Sequence, residues 1–206
     1  MPSRREFRSP LSLVVLALLR EHPMHVYGLH RVIRERGQDR LVNVEHRNSV
    51  RQTVERLQRA ACVEVDEMQS GEGPVRTVYR ITTTGRDLLD EILREAVSTP
   101  RREYPVFPVA ASLLAFYSPP EVAELLAQRR AVLVDQRAEL ELSLKESPGL
   151  PGILVVESEL QVGLIDAELA WIDGVTARIS SGDLEWDTAA LIEGSPMIDL
   201  LDEQAE

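Results

Sequence analysis

The sequence predicts a mainly α-helical fold with one small β-hairpin, an α+β arrangement in two domains. Three observations support this prediction. Apolar residues recur at helical spacing over most of the chain, but between residues 62 and 82 they alternate with polar residues, as in half-buried strands. Residues 98–108 are rich in proline and charge and have little periodicity. The formal charge is positive before residue 62 and strongly negative after residue 102.

The first two predicted helices are separated by a proline. Ser9 is placed to cap a first helix with Pro10 at its first position, and apolar residues then follow at helical spacing. Pro23 ends this helix, because proline lacks a backbone N–H and restricts the residue before it. A second helix is predicted from Val26 to Arg36, with Gly37 well placed to stop it.

A third helix, residues 48–60, is predicted to have one apolar face and one polar face. The apolar stripe, spaced as on one side of a helix, consists of Val50, Val54, Leu57 and Ala61. The opposite face is rich in arginine: Arg47, Ser49, Arg51, Gln52, Glu55, Arg56 and Arg59.

A hairpin and a fourth helix follow. CVEVDEM and VRTVYRIT are typical of strands, QSGEGP is typical of a turn, and Thr82 is placed to cap the helix after them. Three helices, a hairpin and a helix, in this order, form a winged helix-turn-helix. The third helix is then the recognition helix, and QSGEGP is the tip of the wing.

The C-terminal part is predicted to contain two long helices. A short apolar helix at residues 109–117 precedes Ser118-Pro119-Pro120-Glu121, which has the residues of a capping box. The helix it starts extends to about Lys145, and a last helix spans residues 153–179. The predicted domains are a winged helix-turn-helix at 1–97, a linker at 98–108, a helical dimerisation and effector domain at 109–182, and an acidic tail at 183–206, expected to be loose or to lie on a partner surface.

The charge of the chain is divided between its two parts. Residues 1–61 carry twelve arginines and six acidic residues, whereas residues 103–206 have a net charge of −15. Only the first part has the sign that attracts phosphates. An N-terminal nucleic-acid-binding domain is therefore compatible with an overall charge of −11.

Three segments resemble the PadR family of bacterial transcriptional regulators. Pro23-Met24-His25-Val26-Tyr27 follows the family's Pro-Met-His-Gly-Tyr, with Val26 in the glycine position. TVYRITTTGRDLL is similar to its Tyr-x-Leu-Thr-x-x-Gly-x-x-x-Leu segment, and AELAWIDGVTARI resembles the Trp-bearing last helix of the longer members. The match covers about residues 10–182. It implies a winged-helix transcriptional regulator, a repressor rather than an activator, which dimerises through its C-terminal region.

The recognition helix departs from the family pattern. The family's Thr-Leu-Tyr-Pro is replaced by Ser49-Val50-Arg51-Gln52, so the family's DNA sequence preference does not carry over. The residues expected to bind double-stranded DNA are Arg47, Asn48, Ser49, Arg51, Gln52, Arg56, Arg59 and the wing's Arg76. Of these, Arg51, Gln52 and Arg56 are expected to read bases. The alternative is a solvated charged face, in which Arg51 and Glu55 form an i, i+4 ion pair.

Histidines near the junction before the second helix are candidates for a metal or acid/base site: His22, His25, His30 and His46. The four histidines have no spacing that favours a metal, and we expect neither a metal nor a cofactor. We expect the His25 ring to hydrogen-bond the backbone at the bend. We expect Tyr27 to pack inward with its hydroxyl group bonded.

The apolar stripes of the two long C-terminal helices are wide enough to predict a homodimer. Two-fold symmetry would present two recognition helices to an inverted-repeat operator. A small aromatic ligand is a further candidate partner, with Trp171 and Phe116 as its binding residues. Packing within the core or the interface is the alternative role for both side chains.

Several other classes of protein find little support. The chain has no phosphate-binding glycine loop and no nucleophile elbow, so we expect no enzyme activity. No apolar run is long enough to cross a membrane, and a single cysteine excludes an intrachain disulfide, so a cytoplasmic location is expected. The acidic wing keeps open an alternative function, a protein-interaction module that uses a winged helix without specific DNA binding.

Overall fold

The structure, a computed structural model, describes residues 9–46, 48–69, 76–146 and 149–193. The chain divides into two compact units, residues 1–102 and residues 103–206. The elements of the N-terminal unit are α1 (Pro10–Glu21), β1 (Met24–His25), α2 (Val26–Glu35), a 3₁₀ turn (Gln38–Arg40), α3 (Asn48–Arg59), β2 (Val63–Gln69), β3 (Arg76–Ile81) and α4 (Thr83–Ser98). This order confirms the predicted winged helix-turn-helix. The wing tip predicted at QSGEGP lies outside the described residues.

The sheet has three strands, one more than the predicted hairpin, in the order β1–β3–β2. The added strand β1 is antiparallel to β3, with Met24 opposite Tyr79 and His25 opposite Val78. It forms because Pro23 keeps the chain extended between two helices, which leaves the backbone groups of Met24 and His25 free to pair. On the other edge, a register shift between Val65 and Glu67 interrupts the pairing of β2 with β3.

One hydrophobic core holds the N-terminal unit together. Apolar residues of α1, α2, α3, β2, β3 and α4 converge in it, among them Leu16, Leu29, Leu57, Val63 and Leu89. Burying a side chain of this size contributes about 2 kcal/mol, so the core fixes α3 firmly against α1. The exposed face of α3 is thereby held in a defined direction.

The helix starts follow the predicted caps. The Ser9 hydroxyl accepts a hydrogen bond from the Ser12 backbone N–H at 3.2 Å, and the Thr82 hydroxyl accepts one from the Gly85 N–H at 3.1 Å. These bonds satisfy N–H groups that have no partner within the helix. The Thr82 hydroxyl also donates to the Ala61 carbonyl oxygen at 2.7 Å, and the Thr82 N–H donates to the Cys62 carbonyl oxygen at 3.1 Å. The start of α4 is thus bonded to the chain that leaves α3.

The end of α3 requires a left-handed residue, and that residue is Ala61, with φ of 56°. The Cys62 N–H donates to the Leu57 carbonyl oxygen at 2.9 Å, which closes the helix with a bond of the Schellman type. Glycine adopts this conformation without the steric cost that alanine has.

We therefore expect Ala61→Gly to raise the free energy of unfolding by about 1 kcal/mol, because the strain at this position is relieved. Urea unfolding of the full chain measures the change. The matched control is Ala127→Gly, in the exposed middle of a long helix, which should lower stability by about 1 kcal/mol. A loss of stability in both variants would contradict the strain at Ala61.

Within its described residues, the C-terminal unit contains helices and their connections but no strand. Its elements are α5 (Val106–Ala111), a 3₁₀ turn (Leu114–Phe116), α6 (Pro119–Lys145), a second 3₁₀ turn (Gly152–Leu154), α7 (Val156–Ser181) and α8 (Thr188–Glu193). The predicted capping box is present, since the Ser118 N–H donates to the Glu121 carboxylate at 2.9 Å. Across the described ranges, no helix is both long and apolar enough to cross a bilayer.

Helices α6 and α7 lie antiparallel, with ion pairs along their edges. Arg130 pairs with Asp173 at 2.7 Å, and Arg137 pairs with Asp166 at 2.6 Å. Between them, Val122, Leu126 and Leu133 of α6 meet Ile172 of α7 in a small buried cluster. The unit therefore has a hydrophobic core of its own, which is thinner than that of the N-terminal unit.

Two expectations for this unit are wrong in detail. The short helix expected at residues 109–117 is α5 followed by the 3₁₀ turn, and α5 begins at Val106, inside the expected linker. The segment expected to be loose after residue 182 is packed as far as it is described, because Trp186 joins the core cluster and its Nε1–H donates to the Tyr117 carbonyl oxygen at 2.8 Å. Residues 194–206 of the expected tail lie outside the described residues.

Candidate nucleic-acid interface

Helix α3 presents a polar face to solvent because its apolar residues lie on one side. Val50, Val54 and Leu57 are at most 1% exposed. The opposite side carries exposed polar residues: Asn48, Arg51, Gln52, Glu55, Gln58 and Arg59. Ser49 is half-buried at the edge of this face, and Arg47 lies outside the described residues. We call the six exposed residues the α3 face.

An ion pair lies in the middle of the α3 face. Arg51 Nε donates to Glu55 Oε1 at 2.9 Å, one helical turn away, and both side chains are largely exposed. The hydrogen bond and the charge of Glu55 raise the pKa of Arg51, so its guanidinium is charged at any physiological pH. The ion pair expected for a solvated face is present, but it leaves both terminal amino groups of Arg51 without a described protein partner.

Arg56 does not belong to the α3 face, contrary to its expected role in reading bases. Its side chain turns back to the start of α1, where Nη2 donates to the hydroxyl oxygens of Ser12 at 2.8 Å and Ser9 at 3.2 Å. Ser12 is fully buried, so this bond satisfies a hydroxyl that water cannot reach. Arg56 therefore connects α3 to α1, a role that spacing within one helix could not reveal.

The remaining predicted contacts lie at the edges of the face and on the wing. Arg59 is exposed, and its Nε donates to the Glu55 carbonyl oxygen at 3.3 Å. Arg76 is exposed at the first residue of β3, next to the wing tip, where it is opposite Gln69 of β2. Both side chains have the reach and the charge to contact phosphates.

The acidic residues of the wing are partly neutralised within the sheet. Arg80 of β3 pairs with Glu64 at 2.8 Å and with Asp66 at 3.4 Å, both on β2. Each ion pair reduces the repulsion that β2 would exert on a phosphate backbone. The acidic composition of the wing is therefore a weaker argument against DNA than the sequence indicates.

Comparisons with known proteins agree with this geometry. Residues 15–91 match the family model described as the transcriptional regulator PadR-like family. This stretch lies within the N-terminal unit and is similar to that family of regulators. No curated protein matches the chain. The members of that family are transcriptional regulators.

Solved structures with the same fold are distant in sequence. Bacillus subtilis PadR in complex with operator DNA is 15% identical with a TM-score of 0.63, and the match covers 81% of this chain and 97% of that chain. The same protein in complex with p-coumaric acid is 15% identical with a TM-score of 0.66, over 82% and 98% of the two chains. The PadR-like regulator BC1756 from Bacillus cereus is 13% identical with a TM-score of 0.59, over 82% and 98%. At these identities the similarity establishes the fold.

The PadR-like Pro-Met-His motif has a structural role here. His25 caps α2, because its Nδ1 accepts a hydrogen bond from the Gly28 N–H at 2.7 Å, which confirms the expected bond to the backbone. Tyr27 does not pack inward as expected. It is 70% exposed, because it lies on the side of α2 opposite the buried Leu29 and Ile33. Among the described residues, no cluster of three or more His, Cys, Asp or Glu side chains is placed to hold a metal ion.

The two predicted ligand residues, Trp171 and Phe116, are in different surroundings. Trp171 packs edge to face against Phe107, with ring centroids 5.7 Å apart, and is 40% exposed. Phe116 is 62% exposed in the 3₁₀ turn before α6. A shallow hollow of about 700 Å³ lies near Trp186, and neither residue lines it.

Helix α7 has two apolar faces, which the sequence presents as one wide stripe. The face on α6 consists of Ile165, Leu169, Ile172, Val175 and Ile179. The opposite face contains Val156, Leu160, Gly163, Leu164, Ala167, Trp171 and Gly174. Leu160 and Leu164 are 64% and 63% exposed. We call this second set the outer α7 face; its residues are exposed, although Phe107 packs against the ring of Trp171.

The α3 face thus unites four of the predicted contacts, Asn48, Arg51, Gln52 and Arg59, and adds Glu55 and Gln58. The sequence places Glu55 on this side of the helix, and a helical projection of residues 48–59 finds Gln58 there as well, because it lies between predicted contact residues. The sequence predicts for Glu55 only an ion pair with Arg51, because a carboxylate is repelled by phosphates.

Proposed function

We propose that this PadR-like protein is a sequence-specific DNA-binding repressor that occupies an inverted-repeat operator as a homodimer. The observation that carries the proposal is the α3 face, a rigidly held row of side chains that donate and accept hydrogen bonds. The crystal structure of Bacillus subtilis PadR with operator DNA, which has the same fold, supports it.

The side chains of the α3 face suit distinct kinds of contact. An arginine with two free amino groups matches the O6 and N7 acceptors of guanine, and an amide matches the N6 and N7 of adenine. These are the contacts proposed for Arg51 and for Gln52. Asn48, in the first turn of α3, can reach either a base or a phosphate. Arg59 and the wing's Arg76 supply charge for the backbone on either side of the groove.

Dimerisation is proposed through the outer α7 face. Apolar side chains in contact with water along a helix cost free energy that a second copy can recover. Gly163 and Gly174 have open space where a Cβ atom would lie, so two helices could approach closely there. A two-fold dimer would place two copies of α3 on successive turns of one side of the duplex.

The proposed regulation is release of the protein from its operator by a small aromatic ligand. The proposed location of the protein is the cytoplasm. Trp171, which belongs to the outer α7 face, and Phe107 together present an aromatic edge. The complex of Bacillus subtilis PadR with p-coumaric acid supports a ligand of this class. A ligand that binds one dimer geometry better than another would shift the population towards that geometry.

Selection of duplexes from a random pool at physiological salt tests the proposal. A recovered palindrome with a half-site separation of about one helical turn supports operator binding by a dimer. Failure to enrich any sequence would overturn the proposed function.

Two variants separate base reading from backbone contact. We expect Arg51→Ala to weaken binding to the selected site by about 2 kcal/mol and to relax the choice of base at one position of each half-site. Arg59→Ala should weaken binding to all duplexes about equally and reduce the salt slope by about 1 for each half-site. Fluorescence anisotropy with selected and scrambled duplexes measures both. Identical behaviour of the two variants would contradict the assignment.

A protein-interaction module remains the second candidate, because β2 carries Glu64, Asp66 and Glu67 on an exposed strand. Salt separates the two functions. Operator binding should weaken steeply between 50 and 200 mM salt, by about a factor of 10³ if six phosphates are contacted. Binding that changes little with salt would favour the protein partner.

A further inference from the structure

Glu55 carries a negative charge on a surface that is proposed to approach DNA. It lies on the α3 face between Arg51 and Arg59, and its carboxylate is exposed. A carboxylate is repelled by phosphates and cannot donate a hydrogen bond to them. A role in contact with the backbone is therefore excluded for Glu55, so any role that it has in recognition must be exerted at the bases or through Arg51.

The geometry of the ion pair leaves the reading edge of Arg51 free. Glu55 engages the Nε of Arg51 at 2.9 Å. Guanidinium is planar and has five N–H donors, so the bond at Nε restrains the plane and leaves the two terminal amino groups without a described protein partner. These amino groups are the pair that binds guanine O6 and N7.

Arg51 is the arginine in the middle of the α3 face, and no other arginine of α3 is placed to take its role. Arg56, the next arginine along the helix, is committed to Ser9 and Ser12. Arg59 is two turns from Arg51 at the C-terminal end of the helix. The orientation of one arginine side chain therefore decides whether the centre of the face reads a base or binds a phosphate.

We propose that Glu55 is a positioning residue for specificity, which holds the Arg51 guanidinium towards guanine and away from phosphates. This inference rests on the proposed function and adds to it the base that the helix reads. Without the Glu55 charge, Arg51 is free to swing to the nearest phosphate, which every sequence offers. Glu55 then lowers affinity for DNA in general and raises the discrimination of one base pair.

The test compares the full-length wild type with Glu55→Gln, Arg51→Ala and the double variant. Each binds the duplex recovered by random selection, the same duplex with guanine replaced by adenine at the position that Arg51→Ala relaxes, and an alternating A·T duplex without guanine. For Glu55→Gln we expect about a tenfold loss of guanine discrimination, tighter binding to the A·T duplex, and a salt slope steeper by about 1 per half-site. In the Arg51→Ala background, Glu55→Gln should leave guanine discrimination and the salt slope unchanged, because there is no arginine to release.

Glu35→Gln is the matched control. Glu35 pairs with Arg31 at 3.4 Å, also at i, i+4, but on α2. The variant makes the same change of charge and should preserve guanine discrimination.

Three outcomes would overturn the inference. Unchanged guanine discrimination in Glu55→Gln shows that the ion pair does not position Arg51. An equal loss of discrimination in the presence and absence of Arg51 shows that Glu55 reads a base itself, for example the N4 amino group of cytosine. Failure of the wild type to enrich any sequence removes the proposed function and this inference together, whereas the first two outcomes leave the proposed function intact.

Discussion

Replacing Gly85 with alanine is expected to lower the free energy of unfolding of the N-terminal unit by about 3 kcal/mol. A Cβ atom at this position would lie 2.1 Å from the Cys62 carbonyl oxygen and 2.8 Å from Ile81 Cγ1. The carbonyl cannot move away freely, because it accepts the Thr82 N–H at 3.1 Å. The start of α4 must therefore shift, and the cap that Thr82 provides is strained with it. Calorimetry of the full-length variant measures the loss.

Gly152→Ala provides the matched control for this prediction. No atom lies within 4 Å of the Cβ position at Gly152, so the added methyl group meets open space. The control should change stability by less than about 0.5 kcal/mol. A wild-type unfolding free energy for Gly85→Ala would mean that Gly85 does not approach the Cys62 carbonyl oxygen as closely as described.

Replacing Leu164 with glutamate is expected to convert the proposed homodimer into a monomer. Leu164 is 63% exposed on the outer α7 face, so the change costs the single chain little. In a two-fold dimer the same change places two carboxylates in the apolar interface. A buried unpaired charge costs about 3 kcal/mol, so we expect the dissociation constant to rise by at least about a hundredfold. Sedimentation equilibrium measures this constant.

Met68→Glu is the corresponding control in the N-terminal unit. Met68 is 69% exposed on β2, and its replacement makes the same change from apolar to acidic at a distance from α7 in the chain. It should sediment as the wild type does. A wild type that sediments as a monomer, or a Leu164→Glu variant that remains a dimer, would refute association through the outer α7 face.

Local patterns predicted the helix starts well. Ser9, Thr82 and Ser118 cap α1, α4 and α6 as expected, because capping depends on residues close to one another in the chain. The apolar side of α3 was predictable for the same reason. These local features are sufficient to fix the order of elements in the winged helix-turn-helix.

Features that depend on distant contacts were not predictable. β1 is two residues long and exists because β3, more than 50 residues later, provides its partner. The spacing predicts Arg56 on the polar face of α3, yet its partners are Ser12 of α1 and the cap residue Ser9, 44 and 47 residues away. The periodicity of α7 indicated a wide apolar surface but could not divide it into a face that α6 covers and a face that remains exposed.

The connection between α3 and α4 has a mechanical consequence. α4 has 16 residues, so it is a rod about 24 Å long. Its first turn is fastened to the chain leaving α3 by the hydroxyl and N–H of Thr82 and by the close approach of Gly85. A displacement of Ser98 would therefore be passed along this rod to the C-terminal end of α3. On the proposed function, tilting this rod would change the direction in which the α3 face meets the groove.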